Sequence, residues 1–389
     1  MHQFIDDMTR GVRPILWMAV VVAAVSISER GTQAHKAVTS KYTFNDHVFP
    51  ILRDRCGRCH IDGGPAPMSL LTYKDALPWA ESIREELVSE KMPPWYVDQT
   101  GPAAKGGHFI TAREIDTIVT WASGGTPQGD FAKNPAAVVS RPQWRAGTPD
   151  LKIDMEAEHT VPAATGEETA QFTLPTTLTE TKWVKAVDLL PGAPTMVRDA
   201  VISVENGPVL AMWVPGNDSI AAPSGAAFKL SAGAKIHLQI HYKKPWQEEQ
   251  NAKNDKSAVG LYFTDPPASG REIQALVVGS PANGSESADA RRLTSTLNGA
   301  ARVVAVRPAI DRPYAAVDVH AVTPSGARVS ILRLRAARPE WRRRYWLADP
   351  VELPSGSRIE VTLTPPLEPD DPRPAKKYPL QIAVDFVPQ

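Results

Sequence analysis

The spacing of apolar residues changes near residue 150 and divides the chain into two kinds of structure. Before that point apolar side chains recur every three or four residues, which is typical of amphipathic helices. One helix is predicted through Trp79, Ile83 and Leu87. Another is predicted to begin at Thr111, because Thr111 and Glu114 have the spacing of a capping box.

After residue 150 apolar and polar residues alternate, and this pattern predicts half-buried β-strands. The alternating or mainly apolar runs are residues 236–242, 259–263, 273–278, 303–306, 328–335, 358–363 and 380–386. Turn residues separate these runs at short intervals, so we expect antiparallel sheets rather than parallel ones.

A proline-rich stretch marks the boundary between the two kinds of structure. Residues 127–150 contain four prolines and no helical pattern of apolar residues, as expected of a connection between domains. We therefore predict a multidomain chain in which a small all-α domain precedes two all-β domains of antiparallel sandwich or jelly-roll type. The predicted bounds are 41–128 for the helical domain, 129–150 for the linker, and 151–284 and 285–389 for the β-domains.

Both cysteines of the chain lie in the sequence Cys56-Gly57-Arg58-Cys59-His60. C-x-x-C-H is the attachment sequence of a c-type haem. Each thiol adds to one vinyl group of the porphyrin to form a thioether, and the histidine that follows is placed to bind the iron. We therefore expect one covalently bound haem c, attached through Cys56 and Cys59, with His60 as an axial ligand of the iron.

The iron of an electron carrier needs a ligand on its other face as well. Met92 is the preferred candidate because it follows His60 after a predicted helix, on a loop with two prolines. Met68 is the main alternative, and His47 and His108 are further ones. A thioether ligand stabilises ferrous haem, so the pair of His60 and Met92 predicts a positive reduction potential.

The first 34 residues have the composition of an export signal. Arg10 and Arg13 precede an apolar stretch at residues 15–27, and small residues follow it as far as Ala34. The stretch is shorter than the ~20 residues that cross a bilayer, although an uncleaved anchor is the alternative. We predict a signal peptide at residues 1–34 and a periplasmic or otherwise extracytoplasmic protein, which is where haem of this type is attached.

The charged side chains balance, with 43 basic and 43 acidic residues. This balance argues against a nucleic acid or an acidic membrane surface as partner. We expect a periplasmic redox protein or a respiratory complex instead, and membrane contact only through an uncleaved signal. The run Arg342-Arg343-Arg344 is expected to form a solvated edge, with a docking patch for an acidic redox partner as the alternative.

Several segments of the chain match a known domain arrangement. In residues 42–130 these segments are HVFPILRDRCGRCH, GGPAPMSLLTYKDALPWA, KMPPWY and ITAREIDTIVTWASGGTPQGD. Residues 42–130 thereby resemble a cytochrome c domain found in many exported bacterial proteins. In those proteins the domain precedes copper type II, ascorbate-dependent monooxygenase-like domains. The β-region carries WVKA, WVPG and HLQIHYKK in its first half, and PSG, YWL and LPSG in its second. Through these segments it is similar, more loosely, to the paired sandwiches of peptidylglycine hydroxylating monooxygenase.

The resemblance implies two copper centres, but the chain departs from it at their ligands. Members of that family hold one copper with three histidines and the other with two histidines and a methionine. His241 falls on the third ligand of the first site, whereas residues 197–199 replace the adjacent histidine pair. His320 is the only histidine after residue 290, and no methionine occurs there.

Nor does the first β-domain offer an obvious substitute site for copper. His237 and His241 face the same side of a predicted strand, but four residues at ~3.3 Å each place them ~13 Å apart, which is too far to share one ion. His159 is the remaining histidine of this domain, and nothing in the sequence places it beside either of them. We therefore expect the copper centres to be lost, with His241 as the single residual candidate ligand.

Together these patterns favour an exported monohaem cytochrome c that transfers single electrons, with the β-domains as docking or binding modules. A copper-dependent monooxygenase that receives electrons from its fused cytochrome domain is the alternative. A third possibility is a structural or interaction protein within a larger redox complex. No catalytic residue is predicted, because both cysteines are assigned to haem and the sequence contains no recognisable nucleophile–base arrangement.

Overall fold

Strands make up most of the regular structure, and a small helical region precedes them. The computed structural model describes residues 39–107, 109–139, 143–218, 220–279, 291–366 and 380–389. The β-rich, multidomain architecture with antiparallel sheets agrees with the predicted fold class. The predicted signal peptide and His108 lie outside the described residues. Within the described part of the chain, no helix has the length and hydropathy needed to cross a membrane.

The helical region begins with one continuous segment that ends at the first cysteine. It joins a π-helical turn (Phe44–Val48), α1 (Phe49–Ile51) and a second π-helical turn (Leu52–Cys56). The remaining elements are α2 (Tyr73–Ala76), a 3-10 turn (Leu77–Trp79), α3 (Ala80–Val88), α4 (Ala112–Ser123) and a 3-10 turn (Phe131–Lys133).

The predicted capping box is present at the start of α4. The Thr111 hydroxyl accepts a hydrogen bond from the Glu114 N–H (3.2 Å), and the Glu114 carboxylate accepts one from the Thr111 N–H (2.7 Å). The helix ends before Gly125, which takes a left-handed conformation with a φ of +82°. Ile118 and Trp121 of α4 are fully buried in the core of the helical region.

The first β-domain consists of two four-stranded antiparallel sheets and a two-stranded ribbon. Its strands are β1 (Leu151–Asp154), β2 (His159–Val161), β3 (Glu167–Pro175), β4 (Lys182–Leu190), β5 (Val197–Val204), β6 (Val209–Trp213), β7 (Phe228–Leu230), β8 (Lys235–Lys243), β9 (Lys253–Asp255) and β10 (Ala258–Thr264). The sheet orders are β1-β10-β4-β7 and β3-β8-β5-β6, and β2 pairs with β9. In β8 the buried Ile236, Leu238 and Ile240 alternate with more exposed residues, so the period of two in the sequence reflects one buried face.

The second β-domain has the same plan of two four-stranded antiparallel sheets. Its strands are β11 (Gln274–Val278), β12 (Arg291–Thr296), β13 (Ala301–Ala309), β14 (Tyr314–Val322), β15 (Arg328–Ala337), β16 (Tyr345–Leu353), β17 (Arg358–Thr364) and β18 (Gln381–Pro388). The sheet orders are β11-β18-β13-β16 and β12-β17-β14-β15. Because β11 pairs with β18, this domain begins before the predicted boundary between residues 284 and 285.

The helical region is joined to the second β-domain through the backbone. Val97 forms an antiparallel bridge with Leu334 of β15, and Ala104 forms one with Leu347 of β16. Further backbone hydrogen bonds of 2.7 to 2.9 Å flank both bridges. The segment between α3 and α4 is therefore fixed to two strands of a domain that follows it by more than 200 residues in the sequence.

Candidate haem site

One cavity collects the residues for which the sequence predicts haem chemistry. It encloses about 1450 Å³ and lies where the helical region meets both β-domains. Cys56, Cys59, His60 and Met92 all line it, and so does the alternative ligand Met68. Ordinary small-molecule pockets enclose ~300–1,000 Å³, so this cavity has room for a group of porphyrin size.

The C-x-x-C-H sequence forms a tight turn at the end of the first helical segment. The amides of Cys59 and His60 both donate to the Cys56 carbonyl, at 3.1 and 2.9 Å. Both cysteines are free thiols. Burial raises the pKa of the Cys56 thiol to about 12 and also raises the pKa of Cys59. The turn therefore presents two neutral thiols and one imidazole to the same cavity.

The ring of His60 is oriented through its Nδ1 atom. Nδ1 lies 3.3 Å from the carbonyl oxygen of Met68, and an Nδ1–H group that donates to this carbonyl leaves Nε2 with a free electron pair. Burial lowers the pKa of His60, which favours the neutral imidazole that a metal ligand must be. The Met68 side chain packs against the core of the helical region and also lines the cavity.

Met92 lies on a segment that is fixed on both sides. On one side the Met92 N–H donates to the Glu86 carbonyl of α3 at 3.2 Å. On the other, the Trp95 ring packs against Tyr345 of the second β-domain, with 5.4 Å between the ring centroids. These contacts limit the movement of the Met92 backbone, as a preorganised ligand requires. They also make the second β-domain part of the support for Met92.

The first β-domain contacts the C-x-x-C-H sequence directly, through the turn that follows β6. Gly216 has a φ of +73°, and a Cβ atom built on it would lie 2.7 Å from the Cys59 sulfur. Glycine thus permits an approach that no other residue would allow at this position. Arg58, which stands between the two cysteines, forms an ion pair with Asp218 in the same part of the first β-domain.

The cavity wall is more positive than the chain as a whole. Nine Lys or Arg side chains and four Glu side chains line it among the described residues, although basic and acidic residues balance over the full sequence. Some of these cations have a carboxylate partner, as Arg55 has in Glu114 at 3.0 Å. Arg198 instead donates to the Pro65 carbonyl, a neutral acceptor. The net positive charge suits an anionic ligand.

His241 is held by carboxylates rather than by other histidines. Its Nδ1 lies 2.8 Å from Asp199 Oδ2, and its Nε2 lies 2.8 Å from Glu167 Oε1. His159 interacts with Glu168 instead. The described residues contain no cluster of three or more His, Cys, Asp or Glu side chains arranged to hold a metal ion. In this arrangement neither ring nitrogen of His241 is free to bind copper.

The prediction of a solvated edge at the three consecutive arginines is wrong. Arg343 and Arg344 are only 6% and 7% exposed. Arg344 donates to Asp385 at 2.7 Å, and Arg342 donates to Asp199 at 2.8 Å. Arg343 lines the cavity. The run precedes β16 at the junction of the domains, where buried carboxylates compensate two of its three charges.

Gly216, Arg198 and Arg343 also line the cavity, although nothing in the sequence indicates that they belong to this site. Gly216 stands in a Pro-Gly turn, which signals a special backbone conformation but no ligand. The two arginines have no local sequence signal, because the cavity they line forms only when distant segments meet. Of the alternative histidine ligands, His47 does not line the cavity, and its Nδ1 accepts a hydrogen bond from the Thr43 N–H at 3.1 Å.

Comparison with known proteins identifies no family for this chain. No family model and no curated protein matches it. Among solved structures, the glycosylasparaginase PNGase F from Flavobacterium meningosepticum gives a TM-score of 0.32 at 10% identity, over 62% of this chain and 96% of that one. A Paenibacillus xanthan lyase gives 0.18 at 13% identity, over 68% and 28%. Likenesses at these TM-scores carry no argument about activity.

Proposed function

We propose that the protein is an exported monohaem c-type cytochrome that transfers single electrons. The main support is the cavity that Cys56, Cys59, His60 and Met92 line together. These residues supply the two thiols, the imidazole and the thioether that a haem c with His/Met ligation requires. The proposal of export rests on the composition of residues 1–34 and on the compartment in which this kind of haem is attached.

Each residue has a separate role in this proposal. Cys56 and Cys59 attach the haem, and His60 and Met92 bind the iron through Nε2 and Sδ. The haem supplies reversible one-electron chemistry. Because the Met68 carbonyl holds the Nδ1 atom of His60, the imidazole keeps one orientation and donates more strongly to the metal.

The β-domains exclude water from the haem and offer surfaces for docking. They provide part of the cavity wall on two sides, and a drier, less polar site changes the reduction potential. Trp246 of the first β-domain lines the cavity yet is 69% exposed. An exposed aromatic ring at the edge of a cofactor site is a contact that a redox partner can use. The partner we propose is a periplasmic redox protein or a respiratory complex.

The experiment that tests this function is expression of the full chain together with a haem-attachment system. We expect one covalent haem per chain, which stays on the protein in a denaturing gel and is lost when Cys56 and Cys59 are both replaced by Ser. Met92→Ala is expected to keep the covalent haem but lose the charge-transfer band of the Met–iron bond, with a lower reduction potential. Met68→Ala is the matched control that keeps the band.

Two results would contradict the proposal. Protein that carries no haem under these conditions would refute it outright. One or two copper ions per chain, lost in His241→Ala, would support a copper-dependent monooxygenase instead. Survival of the Met–iron band in Met92→Ala would refute only the assignment of the second ligand.

A further inference from the structure

Arg343 is a buried cation that faces the cavity, and among the described residues no carboxylate forms an ion pair with it. Its residue is 6% exposed, and it lines the cavity. Its Nε atom is buried and has no hydrogen-bond partner. A buried charge without compensation is strongly unfavourable, so this guanidinium is suited to an anionic group of a ligand in the cavity.

The position of Arg343 ties it to the proposed haem rather than to another part of the cavity. Its guanidinium carbon lies 5.5 Å from the ring centroid of Trp95, on the segment that carries Met92. Arg343 lines the same cavity as Cys59 and Met92. The cation therefore shares this cavity with the attachment thiol and lies against the segment of the second ligand.

A second guanidinium reaches the same cavity from the first β-domain. Arg198 of β5 is partly buried and lines the cavity, and it donates to the neutral Pro65 carbonyl in the loop that follows the C-x-x-C-H sequence. Arg343 and Arg198 thus approach the attachment site from different domains. Together they provide two positive charges, and none of the described carboxylates forms an ion pair with either.

We propose that Arg343 and Arg198 bind the two propionate carboxylates of the haem. The inference rests on the proposed function, because the propionates are present only if the haem is. A guanidinium suits this task, since its parallel N–H groups match the two oxygens of a carboxylate and its charge persists when buried. The β-domains would then complete the cofactor site and raise its reduction potential, since a nearby cation favours the more negative ferrous state.

The test is a potentiometric titration of the haem-loaded full chain and its Arg343→Gln variant. A unit charge ~10 Å away at an effective dielectric constant of ~20 changes an equilibrium by on the order of tenfold. We therefore expect the ratio of reduced to oxidised haem at fixed potential to fall about tenfold, which is about 59 mV for one electron. Arg343→Lys should recover part of the loss. Arg271→Gln, which removes an exposed arginine outside the cavity lining, should have no effect.

The outcomes separate this inference from the function on which it rests. If no covalent haem is found, the proposed function fails. If haem is attached but Arg343→Gln and Arg198→Gln both keep the wild-type potential, only the propionate site is refuted. Should Arg343→Gln fail to fold, Arg343→Lys and Arg198→Gln carry the same measurement. A saturable response of the wild-type potential to added acetate, absent in Arg198→Gln, would assign the arginines to a free carboxylate and overturn the inference.

Discussion

Replacing Gly216 by alanine tests whether the first β-domain is part of the proposed haem attachment site. The left-handed backbone at this position, with a φ of +73°, costs an alanine about 1–2 kcal/mol. The new Cβ atom would also lie 2.7 Å from the Cys59 sulfur, well inside the ~3.5–4.0 Å of an ordinary contact. Such overpacking costs about 1–3 kcal/mol. Gly216→Ala should therefore destabilise the protein by about 2–5 kcal/mol in total.

Gly233→Ala is the matched control for this substitution. Gly233 also belongs to the first β-domain and has a φ of +68°, but no atom lies within 4 Å of a Cβ built on it. Gly233→Ala should lower the free energy of unfolding only by the cost of the left-handed backbone, about 1–2 kcal/mol. Denaturant unfolding measures both losses, and the number of covalent haems per chain measures the effect on Cys59. Equal stability and equal haem content in the two variants would refute the contact between Gly216 and Cys59.

Two further predictions concern carboxylates that join distant parts of the fold. Asp385 accepts hydrogen bonds at 2.7 and 2.9 Å from two guanidinium groups. Asp385→Ala should therefore lower the free energy of unfolding by about 3–5 kcal/mol, measured by denaturant unfolding. Glu352→Ala, which removes an exposed carboxylate, is the control and should cost at most ~1 kcal/mol in the same assay. Hydrogen bonds from Thr100 hold the pKa of Asp98 in the folded protein below its ordinary value. The contribution of Asp98 to stability is therefore present above about pH 3.9 and is lost as the pH falls through its pKa in the folded protein. Asp98→Asn should remove this acid-side loss from a pH series of unfolding midpoints, and an unchanged series would contradict the role of Asp98.

The contacts around the cavity also explain why the helical region should not be regarded as a separable cytochrome. The attachment turn contacts Gly216 and Asp218 of the first β-domain. The segment after Met92 pairs with β15 and β16 of the second. A truncated helical region would expose both contact surfaces and leave Met92 without the support of Tyr345. Experiments on ligation should therefore use the full chain.

Local sequence patterns predicted α3, α4 and seven of the eighteen described strands. The capping box at Thr111 and the end of α4 near Gly125 depend on neighbours within a few residues, so the sequence contains all the information they need. The same holds for the period of two in β8 and β17. The spacing of residues along the chain and the alternation of side chains in a strand are short-range properties that do not depend on how the domains pack.

The environment of each element was decided by the tertiary structure. Three consecutive arginines predict a solvated edge, yet Arg343 and Arg344 are buried because the junction between the β-domains closes over them. His241 has carboxylate partners from β3 and β5, whose places beside β8 follow from the order of strands in a sheet. The sequence by itself determined which residues form the predicted haem-attachment motif and the proposed ligands. The packing of two β-domains against the helical region decided what surrounds those residues, because partners separated by 100 to 300 positions meet only when the whole core is formed.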